Sequence, residues 1–181
     1  MNDNSDKSNQ GDEQELSGIH FLDDAETCEF TVVENDDEFR TYHQESQPGL
    51  KIIAQKYRSC EGLLVSPEAG DFTKWLRRNH PELNIGISKK DGILVLHSSD
   101  YWMPLVYLGS NIALPIYLNL VSSYIFARMK GALRNEKARV HLEAVYHDEK
   151  EGVSKKFHYE GDSEGLQKII KKIDLNRFLD K

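Results

Sequence analysis

The chain has 181 residues, with 23 Lys and Arg against 30 Asp and Glu, and a formal net charge of −7. One domain fits this length, because domains typically contain roughly 100–200 residues. The two cysteines are too few for a disulfide-stapled secreted scaffold. The first residues also lack the basic and apolar regions of a secretory leader, so we expect a cytoplasmic protein.

The charge is distributed unevenly along the chain. Residues 1–47 carry fourteen acidic side chains against only Lys7 and Arg40, a net charge of −12, whereas residues 48–181 carry +5. The acidic segment is either a solvated tail or an arm that screens a basic surface until a partner displaces it. A charge of +5 falls short of the strongly basic footprint of nucleic-acid binders, so nucleic-acid binding is not the expected function.

Composition and periodicity predict an acidic disordered tail over 1–15 and a single α+β or α/β domain over 16–181. The first part of this domain, 16–100, is expected to run β-α-β-α-β-β. A strand is predicted at Cys28–Val33, and a short helix over 49–58 that begins after Pro48. The residues that recur at helical spacing in this second segment are Leu50, Ile53, Ala54 and Tyr57.

Four further elements complete this first part. The apolar run Gly62–Val65 predicts a buried strand, and a helix is predicted over 71–79, with the aspartate at its start as the cap. Two apolar runs, 83–88 and 93–97, flank the turn-forming segment 89–92. Its Asp-Gly step predicts a β-hairpin between them.

An uncharged stretch, Tyr101–Ala127, is long enough to cross a membrane as a helix. Its prolines and polar amides argue against a membrane span, so a buried helix over about 113–133 is predicted instead. Pro115 is acceptable in the first turn, where its missing N–H costs little. The helix shows an unusually wide apolar face.

The segment after this helix predicts a β-hairpin and a closing helix. Apolar residues alternate with polar ones over 140–147 and again over 153–160, and pairing Tyr146 with Val153 places both apolar sides on one face. The opposite-charge pairs that this register creates are Glu143 with Lys156 and Arg139 with Glu160. Gly161-Asp-Ser163 is expected to cap the closing helix.

Two groups of side chains are candidates for a metal site or a ligand-binding site. The predicted register brings His141, His158 and Glu143 together, as a metal site or as a solvated sheet face. We expect the solvated face, and hence no metal and no other cofactor.

The second group lies near the end of the Gly62–Val65 run. Ser66, with Glu68 and His97, fits a small-ligand site, for example for a nucleotide, or a catalytic site at the end of a strand. A serine that caps a turn explains the same residues, because no Gly-x-Ser-x-Gly motif and no glycine-rich loop accompany it.

The order of the last seventy residues resembles a known family. The apolar run Ser110-Asn-Ile-Ala-Leu-Pro-Ile-Tyr-Leu-Asn-Leu-Val-Ser-Ser-Tyr-Ile is followed by a basic run, the predicted hairpin, Tyr159-Glu-Gly161 and the closing helix. This is similar to the effector-associated components, small helix–hairpin–helix adaptors of bacterial conflict systems. The resemblance implies a non-enzymatic coupling part of a multi-protein defence or signalling assembly, and it transfers no functional residue.

The sequence therefore predicts a non-catalytic module that binds another protein or a second copy of itself. An apolar helix face wider than one small core can bury is a ready interface. The predicted interface residues are Tyr117, Leu120, Tyr124 and Phe126. A ligand-sensing or catalytic domain with its site near Ser66 and a nucleic-acid binder are the alternatives.

Overall fold

The computed structural model describes residues 26–33, 48–57, 60–130 and 138–179, together with Phe39 and Tyr42. The predicted disordered tail over 1–15 lies outside these residues. Within them the chain is a single α+β domain, as predicted, in which helices pack on a sheet of mixed parallel and antiparallel strands.

The described elements are numbered here in chain order. The strands are β1 Thr27–Val32, β2 Leu50–Ile53, β3 Gln55–Lys56, β4 Leu63–Val65, β5 Ile85–Ile87, β6 Gly92–Ile93, β7 Tyr101–Trp102, β8 Leu105–Leu108, β9 Val140–Asp148 and β10 Val153–Gly161. The helices are α1 Ala69–Asn79, α2 Leu114–Met129 and α3 Ser163–Leu179.

Two sheets organise these strands. The main sheet has the order β1-β10-β9-β8-β2-β5, with the short β7 pairing beside β9, and a small sheet has the order β3-β4-β6. Strands β8 and β9 are parallel neighbours, and the chain between them forms α2. Parallel neighbours need such a crossover, so β8, α2 and β9 form a β-α-β unit.

The main core lies between the main sheet and the helices. Its largest fully buried side chains include Tyr117, Tyr124, Tyr159, Phe72 and Phe157. A smaller cluster packs separately from this core, and its buried members are Phe39, Ile53, Leu105, Tyr107 and Val145. The neighbouring residues Ile52 and Ile53 of β2 belong to different clusters, so the centre of the sheet is covered on both faces.

The predicted helix over 49–58 is wrong, because this segment forms β2 and β3. Leu50, Ile52 and Ala54 enter the main core, whereas Ile53 enters the smaller cluster. A strand buried on both faces reads as a continuous apolar run rather than an alternation. The helical spacing of Leu50, Ile53, Ala54 and Tyr57 was a coincidence, and burial in the tertiary structure determined that the segment forms strands.

The predicted hairpin over 83–97 is also wrong, since β5 and β6 pair with different strands. Strand β5 runs parallel to β2, and β6 runs parallel to β4 in the small sheet. The Asp91 carboxylate accepts a hydrogen bond from the Leu63 N–H at 2.7 Å, and its own N–H donates to the Leu63 carbonyl at 2.7 Å. The Asp-Gly step therefore fastens β6 to β4 instead of reversing the chain.

The helix predicted over 71–79 is confirmed as α1, but its start and its cap differ. Helix α1 begins at Ala69, with Glu68 at the cap position and no side-chain capping bond. Asp71 lies inside the first turn and pairs with Arg128 at 3.4 Å. The aspartate thus contributes charge at the positive end of the helix dipole, not a cap.

The hairpin β9–β10 is confirmed, but its register is shifted by two residues. Tyr146 lies opposite Lys155 rather than Val153. A shift of two keeps every side chain on its predicted face, so the apolar pattern cannot distinguish the two registers. The predicted ion pairs form diagonally instead, Glu143 with Lys156 at 2.7 Å and Arg139 with Glu160 at 2.9 Å.

Both predicted helix starts in the second half agree with the structure. Helix α2 begins at Leu114, with Pro115 in its first turn, and residues 131–137 beyond its end lie outside the described part. At α3 the Asp162 carboxylate accepts a hydrogen bond from the Gly165 N–H at 2.7 Å, which is the predicted cap. Within the described part of the chain, none of the helices combines the length and apolar character that crossing a membrane requires.

Candidate functional site

The structure buries three of the four predicted interface residues. Tyr117 and Tyr124 are at most 1% exposed and Leu120 is 8% exposed, whereas Phe126 is 56% exposed. Helix α2 packs against α1 and against α3 as well as the sheet, and Phe72 of α1 lies 5.1 Å from the Tyr124 ring. The wide apolar face is needed for these neighbours, so apart from Phe126 the predicted residues form no surface patch in this fold.

Tyr124 has a polar partner at the edge of the core. Its hydroxyl donates to the Glu68 carboxylate, which is 14% exposed and has the Arg128 guanidinium 4.0 Å away. Burial, together with this carboxylate, raises the pKa of Tyr124. The bond fixes α1 to α2.

The alternative site residues Ser66, Glu68 and His97 line neither of the cavities described below. Ser66 is 6% exposed, and its hydroxyl has no hydrogen-bond partner among the residues that the structure describes. The Glu68 carboxylate is engaged by Tyr124, and His97 is exposed.

Three exposed apolar side chains lie on and beside the small sheet. Leu63 of β4 is 39% exposed, Ile93 of β6 is 53% exposed, and Val95, just beyond β6, is 77% exposed. Val65 pairs with Ile93, and side chains two residues apart on a strand share a face, so Leu63 and Ile93 lie on the same face. Strand β6 pairs with β4 only and is the last strand of the small sheet among the described residues.

Two cations precede this edge. Lys89 and Lys90, in the segment that leads into β6, are both exposed. Neither makes an ion pair with any residue of the described part. We call this surface the β6 edge patch. It consists of the apolar side chains Leu63, Ile93 and Val95 beside Lys89 and Lys90, whose charges no described residue compensates.

A cavity of about 630 Å³ opens at the carboxyl ends of β8 and β9, and is called here the β8–β9 cavity. Its walls are the β8–α2 loop, the β9–β10 turn and single residues of β1 and α3. Four aromatic rings line it, those of Phe30, Tyr42, Tyr107 and Tyr146. A smaller cavity of about 200 Å³ shares Tyr42, Tyr107 and Gly109 with it, so the two form one continuous groove.

Polar residues on β9 and β10 form a ladder of ion pairs. The His141 ring stacks on Trp102 at 3.7 Å between centroids and 5° between planes. Its two nitrogens face the carboxylates of Asp100 at 3.5 Å and Glu160 at 3.6 Å. Burial works against it, but hydrogen bonds from Arg139 N–H and from the Ser98 and His141 side chains hold the pKa of Asp100 below its usual range.

The next group of charged residues along β9 and β10 is centred on Glu143. Glu143 accepts from Lys156 at 2.7 Å and lies 3.4 Å from His158. Burial alone would raise the pKa of Glu143, but the hydrogen bonds from His158 and Lys156 outweigh it and hold that pKa at about 2. In turn the Glu143 hydrogen bond raises the pKa of His158, against the effect of burial.

These groups face one another in pairs rather than converging on one point. In the observed register His141 lies opposite Glu160 and His158 opposite Glu143, so the two histidines are not side by side. No three His, Cys, Asp or Glu side chains in the described ranges are placed to hold a metal ion.

The sequence predicts a strand at the β6 edge patch, but with a different partner. The apolar runs 83–88 and 93–97 predict a hairpin in which each strand has the other as its partner, whereas β6 pairs with β4 alone among the described residues. The sequence gives no local indication of the cavity, because strands distant in sequence form its walls.

No family model matches the chain, and neither a curated protein nor a solved structure matches it.

Proposed function

We propose that this chain is a non-catalytic protein-interaction module that receives an extended segment of a partner protein at the β6 edge patch. The observation that carries the proposal is the group of exposed apolar side chains on and beside β6, a strand that pairs with β4 alone among the described residues. A one-sided strand is a template for the backbone of another chain, and the side chains beside it supply specificity.

The chemistry of the patch defines the partner segment. An added strand would place alternate side chains against Ile93 and Val95, which favours apolar residues at every second position. Lys89 and Lys90 favour acidic residues at the intervening or flanking positions, because opposite charges steer association and fix register. The expected partner is therefore an extended segment in which apolar and acidic residues alternate.

The resemblance of the last seventy residues to effector-associated components agrees with this proposal. In those systems adaptors couple the parts of a multi-protein defence assembly. The small sheet lies outside the segment that carries the resemblance, so the two arguments are independent. Together they support a coupling part in a bacterial defence or signalling assembly.

The test uses the full chain and synthetic peptides of about ten residues, close to the upper length of common strands. One peptide alternates Val with Glu, and its counterpart alternates Val with Lys. Fluorescence anisotropy measures their binding to the protein. We expect the acidic peptide to bind and the basic one to bind at least about tenfold more weakly.

Two variants locate the site. Val95→Ser removes an apolar contact and is expected to weaken binding about tenfold, since burying a Val side chain contributes about 1.5 kcal/mol or more. Val32→Ser, on the exposed outer strand β1, where Val32 is 45% exposed, is the matched control and should leave binding unchanged. Both variants should retain the unfolding midpoint of the parent.

Three results would overturn the proposal. The first is that the acidic and basic peptides bind equally well, or that neither binds. The second is an effect of Val32→Ser as large as that of Val95→Ser. The third is a dimer, seen by light scattering behind a sizing column, that Val95→Ser converts to a monomer, because the edge would then belong to a second copy of the chain.

A further inference from the structure

We infer that the β8–β9 cavity binds a small molecule that joins a flat ring to an anionic group, as nucleotides do. Its volume of about 630 Å³ falls within the roughly 300–1,000 Å³ of ligand-binding clefts. The inference rests on this cavity alone and is independent of the β6 edge patch.

The position of the cavity agrees with the fold. Ligands of open α/β sheets bind beyond the carboxyl ends of the strands, and the cavity lies where the parallel neighbours β8 and β9 end. The loop 109–113 that joins β8 to α2 forms one wall. This β-α-β unit therefore presents its strand ends and its connecting loop to one space.

The walls supply surfaces for a ring. Tyr107 is 5% exposed and held by the smaller core cluster, and the Tyr42 ring lies 6.0 Å from it. Tyr146 packs against the main core and Phe30 against Phe157 at 5.1 Å. Because these rings are held by their contacts with the core, they can stack on a planar ligand without the entropic cost of ordering them on binding.

Donors for an anion line the same space. The N–H groups of Ser110, Asn111 and Ala113 have no acceptor among the described residues, and Asn111 uses its side-chain oxygen to accept from the Gly49 N–H at 2.7 Å. The amide NH₂ of Asn111 is thereby left to donate. Helix α2 begins here with no acidic residue in its first turn and no side-chain cap, which adds a positive potential.

The charged side chains of the β9–β10 turn leave room for this anion. Asp148 lines the cavity, but its carboxylate is already compensated by Lys155 at 2.9 Å and accepts from the Lys150 N–H at 3.0 Å. Lys150 lines the cavity and has no ion pair in the described part of the chain. Glu149 is the one wall carboxylate without a compensating cation there.

The probes are AMP and phenyl phosphate, which carry both groups, with adenosine and inorganic phosphate carrying one each. Isothermal titration with the full chain measures affinity. Ser110→Asp places a carboxylate on the donor loop, and Ser123→Asp places the same charge on the exposed side of α2 away from the cavity. Circular dichroism and the unfolding midpoint verify that both variants fold.

We expect AMP or phenyl phosphate to bind more tightly than adenosine and phosphate, with Ser110→Asp lowering that affinity at least tenfold and Ser123→Asp less than twofold. A ring without an anion should be insensitive to Ser110→Asp. The inference is overturned if neither aromatic anion binds at millimolar concentration, if phosphate binds as tightly as AMP, or if the two Asp variants act alike.

Discussion

Replacing Tyr124 by Phe removes the hydroxyl that joins α2 to Glu68 and leaves the ring in place. The ring keeps its packing against Phe72 at 5.1 Å and Trp75 at 5.8 Å, so no cavity forms. The change therefore isolates one hydrogen bond. Tyr124→Glu, by contrast, would place a second carboxylate beside Glu68 in the core, and would test folding rather than any interface.

The expected loss follows from the charge and burial of the acceptor. A hydrogen bond to a charged group contributes about 1.5–3 kcal/mol. The Glu68 carboxylate is 14% exposed and retains Arg128 at 4.0 Å, which keeps the cost near the lower end. We expect the free energy of unfolding to fall by about 1.5–2 kcal/mol, and the melting temperature by roughly 3–8 °C for a chain of this length.

Urea unfolding followed by tryptophan fluorescence measures the change, with an unaltered denaturant slope as the criterion that the native state is preserved. Phe126→Leu on the exposed side of α2 is the control and should stay within about 0.5 kcal/mol of the parent. Combining Tyr124→Phe with Glu68→Gln should cost less than the sum of the two single changes. A loss below about 0.5 kcal/mol for Tyr124→Phe, or strict additivity, would refute the reasoning.

The remaining predictions concern pH and backbone conformation. Because Glu143 raises the pKa of His158 above 6.5, their pairing contributes stability fully below pH 6.5 and loses it as the pH rises through the raised value; NMR titration should show this pKa falling in Glu143→Gln. The pKa of Glu143 itself is lowered from 4.5 to about 2, so its contribution is present above pH 4.5 and is lost as the pH falls towards 2, which acid unfolding of the same variant measures. Gly49→Ala should destabilise by more than about 1 kcal/mol in urea unfolding, because φ is +119° and a Cβ would collide with the Asn84 carbonyl oxygen. Gly70→Ala, where a Cβ meets nothing within 4 Å of its position on α1, should instead stabilise by about 0.5–1 kcal/mol; a loss there would contradict the propensity argument.

Local patterns predicted the elements whose burial is one-sided. Strands β9 and β10 alternate cleanly, and α3 shows both its cap at Asp162 and its apolar stripe. The prediction for β2 was wrong because its residues are buried on both faces. Its sequence therefore lacks the alternation that distinguishes a strand from a helix. The predicted register of β9 on β10 was wrong for a different reason. A shift of two residues leaves every side chain on the same face of the sheet, so only the neighbouring strand and the turn can determine the register.

Three predicted interface residues, Tyr117, Leu120 and Tyr124, are buried because the exposure of α2 depends on its neighbours. An apolar helix looks the same in sequence whether its second face meets solvent, a partner or another helix of the same chain, and for α2 the neighbours are α1 and α3. The β6 edge patch and the β8–β9 cavity depend on which strands pair, and pairing between distant segments leaves no local trace. The exposure of Ile93 and Val95 follows from the pairing of β6, which has β4 as its one neighbour among the described residues.

The pairing of β1 with β10 fixes when this protein can complete its sheet. Thr27 lies opposite Glu160 and Val32 opposite Lys155, so a strand from the beginning of the chain meets one from its end. During synthesis β1 leaves the ribosome long before β10 exists, so it lacks this partner until β10 has been made. A contact between strands so distant in sequence makes folding slow, and a premature stop before β10 would leave both β1 and β9 without the partner they share.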